Sequence, residues 1–169
     1  LQPVAEALGA ELRARGVGCE VLVQGLQPRR ALLQRFGDGR ASVLVGSQSF
    51  WEGIDVPGDA LQCVVIDKLP FPPPNDPLVE ARTRAIERRG GRPFDEFFVA
   101  EAAIALKQGS GRLIRTESDT GLLVVCDPRM ARMAYGRRLL QALPPMGRAT
   151  TEADAMQWLA LLRAAHRGS

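Results

Sequence analysis

A chain of 169 residues with 46% hydrophobic and 24% charged side chains is long enough to bury a core and too apolar to stay disordered. Its longest apolar runs span about six residues, which excludes an α-helical membrane span of about 20, and the first residues carry no basic-then-apolar leader pattern. The net charge of +3 permits a polyanionic partner without requiring one, and the expectation is a soluble, cytoplasmic protein.

In chain order, Val4, Leu8 and Leu12 fall on one helix face and predict a helix over 3–15. An apolar run at 19–24 reads as a buried parallel strand. Pro28 suits the first turn of a helix that Gly37 stops. Further strands are expected at 41–45, 61–67 and 120–127. Between the third and fourth, Asp76 and Pro77 form an N-cap and first turn, and Gly90-Gly91 closes that helix. A second helix is expected over 94–107, carrying Phe94, Phe97, Phe98, Ile104 and Leu106, then others over 130–142 and 151–163. Thr151 and Asp154 have capping-box spacing in the last of these. Strands alternating with helices imply an α/β fold, a parallel sheet with helices on both faces. A short linker at 144–149 sets the final helix apart from a main domain over 1–143.

The three cysteines, Cys19, Cys63 and Cys126, lie far apart in apolar runs, so buried free thiols are expected and no metal or iron–sulfur site within the chain. His166 is read as a solvated tail residue. Of the 22 basic residues only Lys68 and Lys107 are lysines. That bias suits forked binding of phosphate, and it also suits the codon usage of a GC-rich genome.

Parallel sheets bind ligands at the carboxyl ends of their strands, and three loops there are chemically unusual. The first runs from Gly46 to Gly58. In it Ser47 and Ser49 can donate to phosphate, Trp51 offers a stacking face, and Glu52 and Asp55 can accept from sugar hydroxyls. The competing reading is a glycine-rich connection with Phe50 and Trp51 in the core. The second is Gln108-Gly109-Ser110-Gly111-Arg112-Leu113-Ile114-Arg115. On a helix, Gln108, Arg112 and Arg115 share a face and form an anion clamp. Its two glycines each cost about 1 kcal/mol against alanine, which close packing or a ligand would explain. The competing reading is a pair of surface arginines salt-bridged to neighbours such as Glu117. The third is the proline-rich stretch from Leu69 to Pro77, either a rigid, exposed connector or a wall along a nucleic-acid track with Phe71 free to stack.

The stretch Ser49-Phe50-Trp51-Glu52-Gly53-Ile54-Asp55-Val56-Pro57-Gly58 resembles helicase motif V of DinG/XPD-type superfamily 2 DNA helicases, and Gln108 to Arg115 resembles their motif VI. Val64-Val65-Ile66-Asp67-Lys68-Leu69-Pro70-Phe71 and Tyr135-Gly136-Arg137-Arg138 are similar to further family segments. The likeness covers about residues 1–143, in order and with compatible spacing.

The resemblance implies a second RecA-like motor domain that shares ATP and Mg²⁺ with a first domain and moves on single-stranded DNA. By position, Arg112 and Arg115 face the γ-phosphate, with Arg115 the arginine finger. Gln108 positions the phosphate or the attacking water. Gly53, Asp55 and Glu52 belong to the nucleotide side, Ser47, Ser49, Trp51 and Phe71 to the DNA side. No GxxxxGK[ST] phosphate loop or acidic Walker-B pair is present. The family's iron–sulfur cysteines, where it has them, belong to the first domain. The chain is therefore expected to be a fragment, starting one strand inside its domain, and inactive alone toward ATP. The alternative is a non-enzymatic nucleotide- or nucleic-acid-binding module with a helicase-derived fold. A Rossmann-type enzyme is disfavoured by the absence of GxGxxG.

Overall fold

The computed structural model describes residues 1–50, 61–114 and 120–167, and these divide into two compact units, 1–61 and 62–169. The first holds α1 (Gln2–Ala14), β1 (Glu20–Val23), α2 (Arg29–Phe36) and β2 (Ser42–Val45), then a single 3₁₀ turn over Gln48–Phe50. β1 and β2 pair in parallel, with Glu20 opposite Ser42 and Val23 opposite Val45. Parallel neighbours require a crossover, which α2 supplies. Leu22, Leu32 and Phe50 form the buried centre, with Leu33, Phe36 and Leu44 packed on it. Pro28 precedes the first helical residue of α2 as its N-cap. It has no N–H to leave unpaired there.

The second unit holds β3 (Cys63–Ile66), α3 (Pro77–Arg88), a π-helical turn over Phe94–Phe98, α4 (Val99–Leu113), β4 (Leu122–Val125), α5 (Arg129–Arg132), α6 (Gly136–Ala142) and α7 (Glu152–Arg167). β3 and β4 are parallel, Cys63 opposite Leu122 and Ile66 opposite Val125. α4 is the backbone of this unit. Ala102, Ala105, Leu106, Gly109, Ser110 and Leu113 are its buried residues together with Val99. They recur at the three- and four-residue steps of one helix face, and the small ones, Ala102, Ala105, Gly109 and Ser110, let neighbours approach closely. Asp76 caps α3 by accepting from the N–H groups of Leu78 and Val79 at 2.8 and 3.2 Å. Gly90, at φ 77°, takes the left-handed conformation that ends the helix. At α7 the Thr151 hydroxyl accepts from the Asp154 N–H at 3.1 Å while Asp154 accepts from the Thr151 N–H at 3.0 Å, a reciprocal cap.

Several expectations are corrected. The helix expected over 94–107 begins with a wide turn, in which the Val99 N–H bonds the Phe94 carbonyl five residues back, and continues to Leu113. Ile104 is exposed. The helix expected over 130–142 is two helices. Met133 is extended at φ −95°, ψ 147°, and α6 starts at Gly136, where a Cβ would overlap the carbonyl oxygen of Met130. Only glycine allows the two helices to pack so tightly. The cysteines are not buried: Cys63 and Cys126 are exposed and Cys19 is intermediate. On β3, Cys63 and the 62% exposed Val65 alternate with more covered residues, so this strand is covered on one face rather than two. The proline-rich segment is not wholly exposed either, since Leu69 is buried and Pro70 with it. Among the described residues no helix is long and apolar enough to cross a membrane.

Candidate functional site

Both units present polar side chains at the carboxyl ends of their strands, and each is described on its own. In the first unit, Gln24 follows β1 and reaches Ser47, two residues past β2. Its Oε1 accepts from the Ser47 N–H at 2.7 Å and from the Ser47 hydroxyl at 3.0 Å. A Cβ on Gly46 would lie 3.1 Å from the Phe50 Cβ and 3.3 Å from the Gln24 Oε1, so the tight turn into Phe50 depends on the missing side chain. Phe50 is buried, as the core reading expected, and the Arg29 guanidinium lies over its ring at 4.9 Å and donates to its carbonyl at 3.0 Å. The backbone of Ser49 lies in the 3₁₀ turn, and its side chain is outside the described residues. Trp51, Glu52, Gly53 and Asp55 also lie outside them.

In the second unit, the last turns of α4 carry Gln108 and Arg112, one helical turn apart. Gln108 is exposed and Arg112 half-buried. Among the described residues neither makes a hydrogen bond or ion pair. A Cβ on Gly111 would meet nothing within 4 Å among the described residues, so the helix surface at Gly111 is open. Ser110 is fully buried, its hydroxyl donating to the Lys107 carbonyl at 3.0 Å. Ile114 is extended at φ −122°, ψ 104°. The shared helical face therefore ends with Arg112, and Arg115 lies outside the described residues. An arginine in a last turn gains about 0.3–1 kcal/mol from the helix dipole. That accounts for its charge but not for the lack of an anionic partner among the described residues; Glu117, the partner of the competing reading, lies outside them.

At the end of β4 stands a residue pair that the sequence did not single out. Asp127 is 6% exposed. Its Oδ2 accepts from the Leu69 N–H at 2.9 Å, and its Oδ1 accepts from the Arg129 N–H at 3.0 Å. The Arg129 guanidinium forks onto both oxygens, with Nε at 2.9 and 3.0 Å and a terminal nitrogen at 2.6 Å. The Arg129 bonds hold the Asp127 carboxyl far below the usual carboxylate range, against the opposing effect of burial and with help from Leu69. This pair ties the start of the proline-rich loop to the end of the neighbouring strand. Phe71 is accordingly engaged within the chain: Arg129 lies over its ring at 5.4 Å, and Phe94 and Tyr135 lie 5.7 Å from it, Tyr135 edge-on. The sequence signal for the pair is an acid at a strand's carboxyl end followed two residues later by arginine. Its partner Leu69 is distant in sequence and could not be foreseen.

Each unit is a parallel-stranded α/β structure with polar groups at its strand ends, and the comparisons with known proteins give the chain's family. The chain belongs to the helicase C-terminal domain family, matched over residues 1–146. Within it the chain is a domain of DinG type. It is 49% identical over 141 residues to the ATP-dependent DNA helicase YoaA of Escherichia coli strain K12, covering 83% of this chain and 22% of that protein. It is 45% identical over 143 residues to the ATP-dependent helicase DinG of Mycobacterium tuberculosis strain H37Rv, covering 85% and 21%. The 3'-5' exonuclease DinG of Bacillus subtilis strain 168 is 36% identical over 147 residues, covering 85% and 16%. The chain thus spans about a fifth of the length of these relatives.

Proposed function

We propose that this chain is the second, RecA-like motor domain of an ATP-dependent DNA helicase, supplying motifs V and VI for ATP hydrolysis coupled to movement on single-stranded DNA. The observation that carries the reading is the end of α4. Gln108 and Arg112 stand one turn apart without described partners, beside the open side of Gly111, in a chain of the helicase C-terminal domain family. A half-buried guanidinium with no carboxylate partner among the described residues fits a phosphate group. The first RecA-like domain of the same parent chain supplies the phosphate loop and the acid that binds Mg²⁺. Any iron–sulfur cluster of the parent also resides there.

Bound ATP with Mg²⁺ supplies the phosphoryl group that passes to water. Arg112 and Arg115 meet the charge that develops on the γ-phosphate oxygens, with Arg115 as the arginine finger. Gln108 orients the phosphate or the attacking water. Gly53, Asp55 and Glu52 line the ribose side and help couple the nucleotide site to the DNA site. Ser47, Ser49 and Trp51, with the Phe71 loop, line the single-stranded DNA track, where Gln24 holds Ser47 in place. Alone, the chain does not hydrolyse ATP.

The test is DNA-stimulated ATP hydrolysis by the full parent protein, wild type beside Arg115→Ala. The variant is expected to bind ATP and to lose about 10³-fold or more in turnover. Unimpaired turnover removes the finger assignment. A second reading, a nucleotide- or nucleic-acid-binding module without ATP hydrolysis, draws support from the relative named as a 3'-5' exonuclease. It becomes the better account if the wild-type parent hydrolyses no ATP with any nucleic acid.

A further inference from the structure

The second unit gathers an aromatic cluster that none of the assigned roles explains. Phe94 lies 5.7 Å from Phe71, 5.2 Å edge-on from Tyr135 and 6.4 Å from Phe98, nearly parallel to it. Aromatic clusters of this size are usually core. Here Phe97 is buried and Phe71, Phe98 and Tyr135 are partly covered, but Phe94 is 45% exposed. The π-helical turn Phe94–Phe98 sets the spacing of the stacked pair, and such turns are concentrated at functional sites. Guanidinium groups lie near the turn that carries the exposed ring, a turn that also holds the acids Asp95 and Glu96. Arg138 donates to the Asp95 carbonyl at 3.2 Å, and Arg129 lies over Phe71, the ring next to Phe94. Arg129 and Arg138 are both exposed. Residues 128–149 contain five arginines and no acid. An exposed ring with an exposed arginine bonded to the same turn is a combination that suits single-stranded nucleic acid, where bases stack and phosphates pair with arginine.

We propose that Phe94 is a base-stacking residue for single-stranded DNA, with Phe71 and Tyr135 as its backing and Arg138 as its phosphate partner. This rests on the DNA half of the motor reading and moves the stacking face from Phe71 to Phe94. The rings behind Phe94 hold its orientation, so little side-chain freedom is lost when a base arrives.

The experiment measures, by fluorescence anisotropy, the binding of the full parent protein to labelled oligothymidylate and to an abasic deoxyribose-phosphate oligomer of equal length. Phe94→Ala is expected to weaken oligothymidylate binding about tenfold or more while leaving abasic binding within about twofold. Phe94→Trp, which keeps a stacking face, is expected to stay within about threefold of wild type on both probes. Equal losses on both probes, or no loss on either, overturn the assignment, as does a wild-type parent that does not bind oligothymidylate. A base-specific loss in a parent that hydrolyses no ATP keeps the assignment and removes the motor reading instead.

Discussion

Two arginines of the second unit make the most instructive contrast. Arg129 opens α5 with its guanidinium forked onto the 6% exposed Asp127 and laid over Phe71. Arg112 closes α4, half-buried, with no partner among the described residues. The sequence singles out Arg112 as a phosphate ligand and passes over Arg129. Among the described residues only Arg129 has its charge satisfied inside the fold. Removing Arg129 leaves a buried carboxylate with two backbone donors, Leu69 and Arg129's own N–H. That costs about 1–3 kcal/mol. It falls short of the roughly 3–5 kcal/mol of a fully buried pair, because the Arg129 side chain is 47% exposed and water screens it. Removing Arg112 leaves nothing unpaired among the described residues. The difference separates an arginine that holds the fold from one held ready for a ligand.

Paired substitutions break the contrast if it is wrong. Arg112→Ala is expected to reduce DNA-stimulated ATP turnover of the parent by about 10²-fold or more, with the melting temperature of this chain changed by the equivalent of less than about 0.5 kcal/mol. Arg129→Ala is expected to lower the melting temperature by several degrees, at about 2–4 °C per kcal/mol for a chain of this size. If Arg112→Ala melts as low as Arg129→Ala, then Arg112 is a structural residue and the ligand reading of α4 loses its support.

Acid sharpens the same comparison. The folded-state pKa of Asp127 is depressed, first by the Arg129 side chain. The sign follows from linkage: the unfolded chain takes up a proton near the ordinary value of about 3.9, and the folded chain resists it to a lower pH. The stability from Asp127 is therefore complete above the unfolded value and is lost as pH falls below about 4. Melting temperatures recorded from pH 6 down to pH 3 should fall less steeply in Asp127→Asn than in wild type. Parallel slopes would mean that the carboxylate is not the group that titrates.

Local chemistry was legible in the sequence, and meetings between distant segments were not. The caps at Asp76 and at Thr151–Asp154 were readable because donor and acceptor lie within three residues of each other. The four strands were found from their apolar runs, with ends shifted by a residue or two. The Asp127–Leu69 bond joins residues 58 apart and exists only because β3 and β4 pair in parallel. The division between α5 and α6 depends on how closely Gly136 approaches the Met130 carbonyl, which no periodicity encodes. Of the candidate site, Gln108 and Arg112 share a helix face as their spacing implied, and Ser47 stands at a strand's carboxyl end. Phe71 was chosen because its loop looked exposed. Asp127 pulls the start of that loop inward, and Phe94 keeps the more exposed ring.

The smallest expected effect tests why α4 tolerates Gly111 at all. In the interior of a helix, alanine is favoured over glycine by about 1 kcal/mol, and near the last turn by about half of that. A Cβ at this position meets nothing within 4 Å, so Gly111→Ala meets no steric penalty inside the described fold. It should raise the melting temperature by about 1–2 °C. If the open space at Gly111 receives a ligand, the added methyl group intrudes on it, and ATP turnover of the parent should fall while stability rises. Opposite movements of the two quantities are hard to produce by any structural role, because damage to packing lowers both. A variant that is more stable and equally active would show that the space is unused, and would leave the glycine with no physical account.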